Sequence, residues 1–89
     1  MKANRELLKA FGIAIRLERE RLDIPQDELA ERAHLHRTYV GSVERGERNI
    51  GLNNIHAISI ALDISMANLM ANTTQLLQRD IKNAARNRQ

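Results

Sequence analysis

With 89 residues, no cysteine and a formal net charge of +3, the chain has room for one domain with a small core and excludes disulfide scaffolds and thiolate metal sites. The charge is unevenly placed: residues 1–71 hold ten basic and ten acidic side chains, and the excess falls in residues 72–89, where Arg79, Lys82, Arg86 and Arg88 face only Asp80. Phe11 and Tyr39 are the only aromatic residues, which removes the stacking platforms that single-stranded nucleic acid needs.

Lys2, Arg5, Lys9 and Arg16 interrupt the apolar residues near the start, so neither a signal peptide nor a membrane span is expected and the cytoplasm is the expected compartment. Apolar residues recur at helical spacing and no segment alternates with period two, which predicts an all-α fold. The first helix is expected over Arg5–Leu22, with Leu7, Leu8, Phe11, Ile15 and Leu22 on one stripe and Ile13 and Leu17 facing elsewhere. Asp23-Ile24-Pro25 ends it, because proline disfavours helical geometry in the residue before it. The second helix, Gln26–Ala33, carries Asp27 and Glu28 in its first turn, where the helix dipole favours them, and buries Leu29, Ala30 and Ala33.

His34-Leu35-His36 forms a turn with Leu35 as its inward anchor, and the third helix runs from Arg37 to Arg45, closed by Gly46. At about 100° per residue, Arg37, Thr38, Gly41, Ser42 and Arg45 share one arc and Val40 and Val43 the other. A helix this short, anchored by two apolar residues and offering hydrogen-bonding groups outward, is built to enter the major groove of duplex DNA. Arg37 at the helix start opposes the dipole at a cost of about 0.3–1 kcal/mol, which an anionic partner would offset. A loop over Glu47–Gly51 leads to the fourth helix, Leu52–Leu62, with Leu52, Ile55, Ile58 and Leu62 on one side. Ser65 caps a fifth helix carrying Met66, Leu69 and Met70. Thr73-Thr74 opens a sixth amphipathic helix with Leu76, Leu77, Ile81, Ala84 and Ala85 on its stripe, or else a frayed basic tail. The domain is thus expected over 1–71, with the basic helix or tail over 72–89.

His34, His36 and His56 lack the spacing of a zinc site, no serine has a neighbouring His–acid arrangement, and no glycine-rich phosphate loop occurs. No enzyme activity, metal or cofactor is expected.

The order and spacing of Ile15-Arg16, Arg19, Gln26, Leu29-Ala30, Glu44-Arg45-Gly46, Ile55, Ile58, Ala61-Leu62, Ile64-Ser65 and Leu69 resemble the phage-repressor-like, or xenobiotic-response-element, family of bacterial helix-turn-helix regulators over residues 5–71. Within it, Arg37-Thr38-Tyr39-Val40, Glu44-Arg45 and Arg48-Asn49 are similar to the controller proteins of restriction-modification systems. Pro25 and Gly51 depart from the Ser or Thr that usually cap helices two and four, and the tail beyond Ala71 exceeds the family's minimal domain. The resemblance implies a five-helix lambda-repressor-like fold with a candidate sixth helix. It also implies a homodimer on a palindromic operator that times endonuclease expression, with RNA polymerase as a candidate partner. Carried over position by position, Arg37, Thr38 and Ser42 would read bases, while Gln26, His36, Tyr39, Arg45, Arg48 and Asn49 would contact the DNA backbone, Gln26 also bracing the recognition helix. Arg19 and Glu44 would form a structural ion pair.

One short helix reads few base pairs, so two-fold pairing is expected as well from geometry. Its interface is placed on Met66, Leu69 and Met70, extended by Leu76, Leu77 and Ile81. The rival reading is an antitoxin-type module that occludes a toxin and regulates its own operon.

Overall fold

Each of the four turns between helices is closed by one residue in the left-handed conformation, and this local rule lays out the whole chain. The computed structural model describes the backbone of residues 4–87 and the side chains of residues 4–79. Five helices follow one another: α1 (Arg5–Arg21), α2 (Gln26–Ala33), α3 (Arg37–Glu44), α4 (Leu52–Ala61) and α5 (Met66–Asn87). Among the described residues there is no strand.

Asp23, His34 and Asp63 take φ values of 57°, 57° and 53°, and Gly46 takes 75°. Asp and His tolerate this region better than most L-residues, and glycine enters it without a steric cost. After each of them the next amide reaches back over the turn, Ile24 to the Arg19 carbonyl, Leu35 to Ala30, Glu47 to Ser42 and Ile64 to Ser59, which satisfies carbonyls left open at a helix end. Ile24, Leu35 and Ile64 turn inward at these points and join the core. The helix starts are less uniform. The Asn4 side chain accepts from the Leu7 amide and the Ser65 hydroxyl from the Asn68 amide, both at 3.0 Å, whereas α2, α3 and α4 begin at Pro25, His36 and Gly51 without a side-chain cap.

Phe11 and Ile15 of α1, Leu29 of α2, Val40 and Val43 of α3, Ile58 and Leu62 beside α4, and Leu69 of α5 meet in one core. α1 crosses the end of α3 with no side chain between them. A Cβ on Gly12 would lie 2.6 Å from the Val43 carbonyl oxygen and would also run into that of Glu44.

Two expectations change. Leu52 does not share a side with Ile58: it is 71% exposed, as Ile60 is at 65%, because residues four apart are helical neighbours and Leu52, His56 and Ile60 form an outer ridge of their own. The sixth helix is not a separate element either, since α5 passes Thr73-Thr74 without a break. Thr73 is fully buried, and its hydroxyl donates to the Leu69 carbonyl at 2.9 Å, so it bonds back along the helix instead of capping a new one. Position 71 thus lies inside one helix. Beyond it α5 leans on α1, where Leu76 packs against the core and the Asn72 amide donates to Glu18 at 3.5 Å.

Replacing Gly12 by alanine sets a methyl group against backbone that cannot rotate away. Gly12→Ala is expected to lower stability by about 1–3 kcal/mol, read as a fall in Tm. An unchanged Tm would show that α1 can lift from α3 freely.

Candidate nucleic-acid interface

The turn between α2 and α3 presents a shallow concavity lined by Gln26, Arg37, Thr38, Gly41 and Arg45. Arg37 and Thr38 are exposed at the start of α3, with His36 immediately before them. Gly41 lies beneath other side chains: a Cβ there would be 3.2 Å from Arg45 Nη1 and 3.5 Å from Gln26 Oε1. Its lack of a side chain makes room for the protein's own Gln26 and Arg45.

The floor of this surface is an ion pair with a third member. Arg19 donates to both carboxylate oxygens of Glu44, through Nε at 2.8 Å and Nη2 at 3.0 Å, and through Nη1 to the Ile24 carbonyl at 3.0 Å. The hydrogen bond with Glu44 raises the Arg19 pKa further above its ordinary value, against the opposing effect of burial. Gln26 Nε2 donates to the same Glu44 Oε1 at 3.0 Å, so α1, α2 and α3 share one carboxylate that is only 5% exposed. The ion pair stands where the family resemblance placed it. The resemblance also implies a brace from Gln26 to α3, but not that Glu44 accepts it, because nothing in sequence order links positions 26 and 44.

On the flank of α3 the half-buried Tyr39 has the Arg48 guanidinium carbon over its ring, 5.6 Å from the centroid, within reach of a cation–π attraction. Its hydroxyl accepts a hydrogen bond from Asn54 Nδ2 of α4 at 3.1 Å. Ser42 departs from expectation. It is 5% exposed, its hydroxyl donates to the Tyr39 carbonyl at 2.7 Å, and it accepts from Arg48 Nε at 3.2 Å. The chain after Gly46 folds back over this end of α3, so Ser42 faces its own loop and is not offered to base edges. Asn54, which the sequence pattern does not single out, lies in the first turn of α4 and joins the cluster only through the fold.

Arg45, Arg48 and Asn49 are exposed along the rim. Arg45 is paired with Glu47 through Nε at 3.0 Å and Nη2 at 3.2 Å. That hydrogen bonding raises the pKa of Arg45 and lowers that of Glu47. Because both side chains are solvated, the pair adds little to stability, and a phosphate can compete for Arg45.

The residues expected at a subunit interface are differently placed. Leu69 is fully buried and Met70 and Leu76 pack against the core, so they hold α5 on its own subunit. Met66 and Leu77 are half-buried, and the Ile81 side chain lies outside the described residues. The apolar side chains that remain outside include Leu52 and Ile60 of α4 and Leu17 of α1. Among the described residues no group of three or more His, Cys, Asp or Glu gathers as a metal site, and no helix is long and apolar enough to cross a membrane.

Residues 15–69 match the helix-turn-helix family. The chain is 42% identical over 65 residues to control protein C.BamHI of Bacillus amyloliquefaciens, a match covering 72% of this chain and 80% of that protein. Among solved structures, it is similar to the restriction-modification controller protein C.AhdI from Aeromonas hydrophila, with a TM-score of 0.69 and 44% identity over 70% of this chain and 94% of that one. It is also similar to the controller protein C.Esp1396I, solved as a tetramer with its natural 35 base-pair operator, at a TM-score of 0.75 and 25% identity over 81% of this chain and 95% of that one.

Removing the shared carboxylate strands a partly buried guanidinium and releases Gln26 at once. Glu44→Ala is expected to cost about 3–5 kcal/mol, measured by thermal or denaturant unfolding. A loss below about 1 kcal/mol would mean that the three helices are held by the apolar core alone.

Proposed function

This chain belongs to the helix-turn-helix family, in the branch of restriction-modification control proteins, and from that premise we propose that it is a sequence-specific DNA-binding regulator of transcription. It binds a palindromic operator as a homodimer and controls a restriction-modification system from the cytoplasm. The observation that carries this reading is the pair Arg37 and Thr38, exposed at the start of α3 above the Arg19–Glu44–Gln26 floor. A rigid helix end offering a guanidinium and a hydroxyl suits base edges in a major groove.

Arg37 and Thr38 are the base readers in this proposal. Gln26, His36, Tyr39, Arg45, Arg48 and Asn49 surround them and engage the sugar-phosphate backbone, positioning the protein without reading sequence. Their charge is local, since the first 71 residues are balanced, so clustering on one face supplies the attraction. The work needs binding alone and no catalytic group. Where the bound dimer activates a promoter, RNA polymerase is the further partner.

The dimer is assigned to the outer ridge of α4. Leu52, His56 and Ile60 are exposed along one side of a helix without a charged residue, and a two-fold-related copy would cover the ridge. The C.Esp1396I tetramer on its operator supports self-association as the mode of operator binding.

Footprinting on the DNA upstream of the chain's own gene tests the proposal, and symmetric protection is expected. In the same duplex Arg37→Ala should keep the wild-type Tm while losing about 1–3 kcal/mol of discrimination against a scrambled sequence. A wild-type ratio of specific to non-specific binding would remove Arg37 from the readers. Ile60→Lys should weaken self-association by at least about 1 kcal/mol in sedimentation, and an undiminished dimer would move the interface elsewhere.

A further inference from the structure

The hydrogen bond between Asn54 and Tyr39 does nothing for helix formation. Asn54 lies in the first turn of α4, where its amide already donates to the Gly51 carbonyl at 3.1 Å. Its side chain reaches across to α3 and donates to the phenol oxygen, Nδ2 to Oη at 3.1 Å. A tyrosine hydroxyl has one proton to give and lone pairs to receive with. With Asn54 supplying the donor on one side, the hydroxyl's own proton is left for an acceptor on the other.

Arg48 is arranged in the same sense. Its Nε is taken by Ser42 and its guanidinium carbon lies over the Tyr39 ring, 5.6 Å from the centroid, while among the described residues no acceptor takes its Nη hydrogens. The phenol proton and the guanidinium hydrogens thus belong to two neighbouring side chains at the rim of α3. Two donors, one of them charged, match the oxygens of a phosphodiester. We propose that Asn54 is a positioning residue of the DNA interface, which fixes the Tyr39 hydroxyl as a donor to backbone phosphate beside Arg48. This rests on the reading of Tyr39 as a DNA contact, and adds to it which atom donates and which residue of the next helix sets its direction.

The test is a double-mutant cycle on full-length protein with the duplex upstream of its gene and with a scrambled duplex, at fixed salt. Asn54→Ala should weaken binding to both duplexes by about 2- to 10-fold, the range of one hydrogen bond. In a Tyr39→Phe background the same change should cost nothing further. The chain has one tyrosine and no tryptophan, and Phe11 absorbs only at the shorter wavelengths of the near ultraviolet, so the longest-wavelength near-ultraviolet band of the free protein reports on Tyr39, and Asn54→Ala should shift it. Asn54→Asp preserves shape and suits a helix start, but its carboxylate accepts the hydrogen bond of the tyrosine hydroxyl, so it should bind more weakly than Asn54→Ala while melting like wild type. Equal losses from Asn54→Ala in the wild-type and Tyr39→Phe backgrounds would overturn the proposal, as would wild-type affinity in Asn54→Asp. If Tyr39→Phe itself binds like wild type, the contact assigned to Tyr39 fails first and the positioning role falls with it. A spectral shift in free Asn54→Ala would then show that the intramolecular bond exists without serving DNA.

Discussion

One carboxylate, Glu44, holds the reading end of this small domain together. It closes α3, accepts two bonds from Arg19 of α1 and one from Gln26 of α2, and sits where α1 comes closest to α3, over Gly12. Burying a charge is costly unless its hydrogen-bonding capacity is met, and here it is met from two directions. Among the described residues no buried side-chain nitrogen or oxygen lacks a partner. The geometry follows from that satisfaction. If α2 rotates, Gln26 loses its acceptor, and if α1 slides, Arg19 loses its fork, so the angle at which α3 offers Arg37 and Thr38 cannot drift without breaking a buried bond.

Much of the architecture is legible in the sequence because it is written locally. Pro25 and Gly46 mark helix limits by their own backbone constraints, and the bounds of α2 agree with the pattern of its residues. The parts that sequence misplaces depend on neighbours distant along the chain. Leu52 looks like a core residue by composition, yet α4 turns Ile55, Ile58 and Ala61 to the core, which leaves Leu52 outside with Ile60. Thr73 looks like a cap, but in place it is enclosed by the core and bonds to its own helix. A single threonine carries both possibilities, and packing decides between them.

The same division runs through the candidate site. Arg37, Thr38, Arg45, Arg48 and Asn49 are exposed as a helical wheel and a loop would have them. Ser42 is on that wheel too and is nonetheless buried, because the wheel ignores the segment that returns after Gly46. Asn54 is the converse case, an ordinary polar residue by sequence that acquires meaning only because α4 starts beside Tyr39. The charge pattern behaves similarly. Arg45 reads as a free cation, whereas Glu47 two residues later accepts two bonds from it. That pair tempers the attraction for DNA that a bare arginine would exert, and leaves Arg37 and Arg48 as the cations without a carboxylate partner on this face among the described residues.

Helix α4 connects the two halves of the proposed function. About 200° of rotation separates Leu52 from Asn54 at 100° per residue, so the outer ridge and the Tyr39 contact occupy opposing sides of one short rod. A rod of three turns is stiff, and a partner covering the ridge restrains Asn54 as well. On the proposed assembly through α4, self-association and DNA contact would not be independent events. Pairing two subunits through α4 would steady the Tyr39 hydroxyl and Arg48 in each, removing part of the ordering cost before DNA arrives. In the proposed dimer the second subunit would contribute more than a second reading head: it would stiffen the first.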